Sequence, residues 1–175
     1  MCIRDRRHII AVLMQNEAGA LSRLAGLFSS RGYNIESLNV AATHDPLVSR
    51  LTLITNGDES VIEQINKQLK KLIDVVDVLD YAHRDHIECE LALIKLRVNE
   101  QTARPVVECI RRYRGLILDE TGDTRTVQMS GSGLEVNDFV DEIGRLGTIL
   151  ETVRSGVTAI EPGPAILALP SNAAA

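Results

Sequence analysis

Residues 16–40 read NEAGALSRLAGLFSSRGYNIESLNV, and the fold turns on how this stretch divides. Leu21, Leu24, Ala25 and Phe28 recur at i, i+3, i+4 and i+7, the spacing of a helix that buries one stripe. Gly32 follows Arg31 where a left-handed C-cap ends such a helix. Upstream, HIIAVLMQ (8–15) is an unbroken apolar run of strand length, which predicts a strand covered on both faces. Downstream, NIESLNVAATH (34–44) reads as strand through Ile35, Leu38 and Val40. Asp45-Pro46 marks a turn, and LVSRLTLITN (47–56) returns as strand. SVIE (60–63) has capping-box spacing and opens a helix whose stripe is Ile62, Ile65, Leu69 and Leu72. DVVDVLDYA (74–82) supplies a fourth strand. The order is β-α-β-β-α-β.

The second half repeats it. HIECELALIKLRV (86–98) alternates through Ile87, Cys89, Leu91 and Leu93 before Ile94 and Leu96 take the opposite parity, which predicts a bulge or a doubly buried end. Thr102 is placed to cap a helix with Pro105 in its first turn, running through Val106, Ile110 and Tyr113 until Gly115 ends it. LILDET (116–121), a Gly122-Asp123 turn and TRTVQMSG (124–131) form a hairpin. A helix through Phe139, Val140, Ile143 and Leu146 follows, stopped by Gly147, and TILETVRSGVTAI (148–160) is the last strand.

The fold class is therefore α+β, with two consecutive ferredoxin-like βαββαβ units over 7–83 and 84–160. Two helices cover one sheet face in each, so the bare face or a sheet edge is expected to meet a second copy. The tail EPGPAILALPSNAAA (161–175) carries three prolines without periodicity and is expected to be flexible. The first residues, MCIRDR (1–6), have no hydrophobic segment behind their charges and are not a signal peptide. They are read as a non-native extension, translated adapter or cloning sequence, with the natural start near Arg7.

Composition narrows the function classes. Hydrophobic residues make up 45% and charged residues 25% of the 175 positions, ordinary values for a soluble globular protein. A net charge of -5 argues against a nucleic-acid or anionic-membrane surface. No apolar run reaches the length of a membrane span. Cys2, Cys89 and Cys109 have neither metal nor disulfide spacing, which points to a reducing, cytoplasmic compartment. His83 and His86 sit in a linker without a third ligand. SGSGLE (130–135) lacks the third glycine of a dinucleotide fingerprint and reads as a turn between strand and helix. No nucleophile, general base and acid fall at recognisable spacing, so the catalytic set is none and the metal set is none.

The opening stretch remains. Its strand ends at Gln15, the chain turns through NEAG, and the helix begins near Gly19 or Ala20. Free N–H groups at a helix start favour a carboxylate. Gly19 lets a ligand approach backbone, and the Asn16 amide offers both donor and acceptor. With Leu21, Leu24 and Ile35 nearby, this describes a site for a small apolar amino acid. From the residues alone, Asn16 as a plain helix cap and Gly19 as a plain turn is the simpler description.

The same 25 residues closely resemble the N-terminal ACT domain of the regulatory, small subunits of acetolactate synthase, also called acetohydroxyacid synthase. DPLVSRLTLIT, VIEQINKQLKKLIDVVDV, VQMSGSG and ETVRSGV resemble that family in the same order, over roughly residues 7–160; NEQTARPVVECIRRYRG matches it loosely. Ala18 stands where many members carry Ser or Pro. The resemblance implies a non-catalytic chain that activates a large subunit and confers feedback inhibition by valine, or by leucine or isoleucine. It places thiamine diphosphate, FAD and magnesium on the large subunit and none on this chain. ACT domains of the family pair side by side with the effector between the copies. That sets Asn16, Gly19, Ala20, Leu21 and Ser22 of one chain against Asn34 and Ile35 of its mate. The alternative is an ACT-type amino-acid sensor that serves another enzyme or transcription.

Overall fold

The computed structural model describes residues 6–167. Residues 1–5 of the expected extension and 168–175 of the expected tail lie outside the described residues. The chain divides into two compact units, one running up to Ile87 and resuming at Ala159, the other Glu88–Thr158.

In the first unit, β1 (Arg6–Gln15), α1 (Ala20–Arg31), β2 (Ser37–Ala42), β3 (Val48–Gly57), α2 (Glu59–Leu69) and β4 (Val75–Asp80) follow in chain order. The antiparallel sheet runs β2-β3-β1-β4. This is the split βαβ order in which the first strand lies between the third and fourth. β1 is buried from His8 to Met14, as its unbroken apolar run predicts. Ile10, Val12 and Met14 pack with Leu51 and Leu53 of β3 beneath Leu24, Phe28, Ile62, Ile65 and Leu69 of the helices.

Local details depart from the sequence reading. The buried stripe of α1 is Ala20, Leu24 and Phe28, whereas Leu21 and Ala25 are exposed. The apolar face is thus rotated by about one position toward the helix start. Asp58, not Ser60, caps α2: its carboxylate accepts from the Val61 N–H at 2.9 Å, and the Ser60 hydroxyl donates to it at 2.6 Å. A stronger acceptor two residues upstream outcompetes the Ser-x-x-Glu spacing. Gly32 ends α1 as expected, left-handed at φ 69 with its N–H on the Phe28 and Ser29 carbonyls.

The helix-free face of this sheet is not bare. Ile9, Ala11, Leu13, Thr52 and Ile54 are all buried. On the same side, Arg50 donates to the buried Tyr81 hydroxyl at 2.8 Å and to the Ala159 carbonyl at 2.7 Å, tying the returning chain to the sheet. What stays open is an edge. Leu38 and Val40 of β2 pair with Leu53 and Leu51 yet remain 38% and 40% exposed.

The second unit contains β5 (Ile87–Arg97), α3 (Ala103–Arg112), β6 (Leu116–Thr121), β7 (Thr124–Gly131), α4 (Gly133–Leu146) and β8 (Thr148–Arg154), and β9 (Thr158–Ile160) begins at its last residue, where the chain returns to the first unit. Its sheet runs β6-β7-β5-β8, with β9 also beside β5. The predicted final strand is therefore two strands, broken at Ser155-Gly156-Val157. Parity in β5 is opposite to the reading from its start. Glu90, Ala92, Ile94 and Leu96 are buried throughout, while Ile87, Cys89 and Leu91 are exposed. No bulge interrupts that alternation; the register shift is in pairing with β8, at Lys95/Leu96.

The helix ends also differ from the spacing-based assignments. Thr102 makes no side-chain cap; Asn99 Oδ1 accepts from the Gln101 and Thr102 N–H groups instead, at 3.0 and 2.9 Å. Past α3 the left-handed residue is Arg114 (φ 58) rather than Gly115, whose N–H returns to the Ile110 carbonyl. SGSGLE does form the expected turn. It contains a full capping box, Ser132 with Glu135, that starts α4.

Candidate functional site

The loop between β1 and α1 is built by backbone bonds to two other segments. Gln15 N–H donates to the Asp74 carbonyl at 2.8 Å, and Asn16 N–H donates to the Leu47 carbonyl at 2.8 Å. The Asn16 side-chain nitrogen adds a bond to the Pro46 carbonyl at 2.9 Å. Asn16 is therefore a staple to the β2–β3 turn, and the plain-cap reading fails. No side chain caps α1, whose N-cap residue is Gly19.

Gly19 opens α1 at φ 88, ψ -12, with no side-chain cap. A left-handed residue here costs glycine little and an L side chain about 1 kcal/mol or more. The first amide to bond back along the helix is Arg23, to the Gly19 carbonyl at 2.9 Å. The N–H groups of Leu21 and Ser22 have no acceptor among the described residues. Together with the positive end of the helix dipole, they leave a patch of backbone that favours negative charge.

Two residues at this corner escaped the sequence reading. Arg23, one turn after Gly19, folds back over the start of its own helix. Its Nε and Nη2 donate to Asp74 Oδ2 and Oδ1 at 2.5 and 2.7 Å. The Asp74 side chain is 5% exposed and that of Arg23 47%. The Arg23 hydrogen bonds hold the Asp74 carboxyl below its ordinary range despite its burial, and Asp74 in turn raises Arg23. Spacing on α1 would have put Arg23 beside Gly19. Nothing local signals Asp74, which lies 51 residues further along.

Of the expected site residues, Asn16 lies in the loop after β1, and Gly19, Ala20, Leu21 and Ser22 follow at the start of α1. Ala20 is buried there, and Leu21 and Ser22 are exposed. Asn34 and Ile35 lie beyond the other end of this 12-residue helix, roughly 18 Å away at helical rise. Asn34 has an exposed side chain and a carbonyl that accepts from Thr55 Oγ1 at 2.7 Å, and Ile35 packs partly on the core. One chain does not bring the two groups together.

The second unit has a corner of the same topology, where Asn99-Glu100 repeats Asn16-Glu17. A cavity of about 820 Å³ opens there, lined among others by Arg97, Arg125 and Arg145. Arg97 is paired with Asp123 at 3.0 Å and Arg125 with Glu120 at 2.6 Å. Asn99 Oδ1 takes the Gln101 and Thr102 amides, the counterparts of those of Ala18 and Gly19, and Pro105, which has no N–H, stands where Ser22 does. The two corners have thus diverged, in the direction of the asparagine side chain and in the number of open amides.

No group of three or more His, Cys, Asp or Glu side chains suited to a metal occurs among the described residues. His8 is buried against Asp80 at 3.3 Å, and His83 meets Glu59 at 2.7 Å on the surface. No described helix is long and apolar enough to cross a membrane.

Comparison with known proteins gives these features a context. Residues 10–77 match the family described as the AHAS small subunit-like ACT domain, and residues 89–163 match the small subunit of acetolactate synthase. The chain is 45% identical over 161 residues to the acetolactate synthase isozyme 3 small subunit of Escherichia coli, covering 92% of this chain and 99% of that protein. It is 43% identical over 157 residues to the acetolactate synthase small subunit of Haemophilus influenzae, covering 90% and 96%. The crystal structure of the acetolactate synthase small subunit from Thermotoga maritima aligns with a TM-score of 0.83 at 31% identity, over 91% of this chain and 99% of that one. The chain belongs to the acetolactate synthase small-subunit family.

Proposed function

We propose that this chain is a non-catalytic regulatory subunit that activates a thiamine-diphosphate-dependent large subunit. It confers feedback inhibition by a branched-chain amino acid, valine first, in cytoplasmic valine, leucine and isoleucine biosynthesis. Residues 7–83 hold the effector and the dimer seam, and residues 84–160 form the C-terminal regulatory domain. Thiamine diphosphate, FAD and magnesium belong to the large subunit.

The bond from Asn16 to Pro46 is the observation that carries this reading. β2 is an edge strand whose Leu38 and Val40 lie half open. A second copy pairing antiparallel along that edge, about a two-fold axis, would cover them. Such pairing sets the β2–β3 turn of one copy against the start of β2 in the other. The Gly19 loop is stapled to that turn, so it would face the partner's Asn34 and Ile35. A zwitterion held between the copies feels any shift between them, and a coupling of ~1–3 kcal/mol suffices for feedback control. Aliphatic side chains at the corner suit a branched side chain. One methylene there is worth only ~1–3 kcal/mol, so leucine and isoleucine remain competitors.

The test mixes the purified chain with a candidate large subunit and follows acetolactate formation with valine, leucine or isoleucine added. Faster turnover with the chain and slower turnover on adding valine is the expected result. An unchanged rate in both conditions contradicts the proposal.

A further inference from the structure

Arg23 has three guanidinium nitrogens, and the structure commits two of them. Nε and Nη2 are held by Asp74 in a two-pronged grip. Nη1 has no acceptor among the described residues, and it is the atom nearest the open face of Gly19: a Cβ built there would lie 3.0 Å from it. The unpartnered amides of Leu21 and Ser22 belong to the same turn. One face of the guanidinium is thus locked to a buried carboxylate, and the other is aimed at the space that the missing Cβ leaves.

We propose that Arg23, through Nη1, is the cation that receives the carboxylate of the effector, with Asp74 as the positioning residue that fixes the guanidinium. This rests on the effector reading above and extends it: recognition is by charge at this end, not by neutral amides alone. A planar fork gripped on one edge presents its remaining donors in a fixed direction, which a lysine would not do. Gly19 then has a second reason to be glycine, since any side chain would fill the gap between Nη1 and the ligand.

Calorimetry on the full chain with L-valine and L-valinamide tests the assignment. The two ligands share a side chain and an ammonium group, but only valine carries a carboxylate. Wild-type protein should prefer valine by about tenfold or more, the value of one charge-assisted hydrogen bond. Arg23→Gln combined with Asp74→Asn removes both charges without leaving a buried carboxylate alone. In this double variant valine should weaken by about tenfold, with its preference over valinamide shrinking by the same factor, while valinamide changes less than about twofold. Arg23→Lys keeps the charge and stem, and should lose part of the preference for valine. If the double variant keeps the wild-type preference, or if both ligands weaken in parallel, the assignment is overturned and the effector reading stands. Should the double variant fail to fold, an undiminished preference in Arg23→Lys overturns it in the same way. Wild-type protein that binds neither ligand overturns the effector reading itself.

Discussion

Glu90, 4% exposed inside β5, receives both Nε and Nη2 of Arg154 at 2.8 and 2.6 Å across 64 residues of chain. The pair closes the second unit much as Asp74 and Arg23 close a corner of the first. Its two ends are not equivalent, because Arg154 is 38% exposed and also reaches Asn137 at 2.8 Å. Arg154→Leu strands a buried carboxylate and should destabilise by about 2–3 kcal/mol. Glu90→Gln leaves a cation that can turn to solvent, and should cost about 1 kcal/mol. Urea unfolding of both variants measures the order; equal losses would show that Glu90 is not desolvated as described.

Asp74 gives a pH dependence of definite sign. Its carboxyl is held below the ordinary value by the Arg23 hydrogen bonds. A group lowered on folding contributes fully above its unfolded value, about 3.9, and loses that contribution as pH falls through the folded value. Asp58 and Glu135, lowered by their hydrogen bonds to Ser60 and Ser132, act in the same direction. Wild-type unfolding midpoints should therefore drop steeply below about pH 4, and Asp74→Asn should flatten part of that drop. Parallel curves for the two proteins would deny Asp74 its role.

Gly19→Asp should separate the two regulatory properties. It strains a φ of 88 and sets a carboxylate against Arg23 Nη1, which competes with the effector for the same donors. Activation of the large subunit should persist while inhibition by valine disappears. Asn34→Ala should weaken inhibition less completely. Acetolactate assays across a valine series read both, and a valine response retained in Gly19→Asp counts against the site.

Val40→Lys tests the edge. Val40 pairs with buried Leu51 yet is 40% exposed, and a lysine on an edge strand opposes edge-to-edge pairing. Sedimentation should show dimerisation weakened by about tenfold or more, with valine binding lost in step. An unchanged dimer would move the seam away from β2.

Element order, sheet class and most helix positions were legible in the residues because one-sided burial leaves a period of 3.6 or 2. Where both sides of an element are apolar, that signal fails. β5 carries Ile87, Cys89, Leu91 and Leu93 on one parity and Ala92, Ile94 and Leu96 on the other; Glu90 sits with the buried set only because Arg154 neutralises it. A bare helix-free face was expected on the first sheet; that Ile9, Ala11, Leu13, Thr52 and Ile54 are buried there, and that Arg50 bonds to Tyr81 and Ala159, depends on residues distant in sequence. At the candidate site the loop could be read from Asn16 and Gly19. The destination of the Asn16 amide, at Pro46, and the Asp74 grip on Arg23 are tertiary facts with no local trace.

The central claim is a site shared between two chains, and subunit mixing tests it most directly. Gly19→Asp and an Asn34→Asp variant should each fail to bind valine alone. Mixed dimers would carry one doubly damaged site and one intact site, so calorimetry of an equimolar mixture should recover about a quarter of the wild-type sites at wild-type affinity. Recovery of that binding supports Gly19 and Asn34 meeting across a two-fold seam. A mixture that stays as inert as its parents, with subunit exchange shown by mass spectrometry, contradicts it.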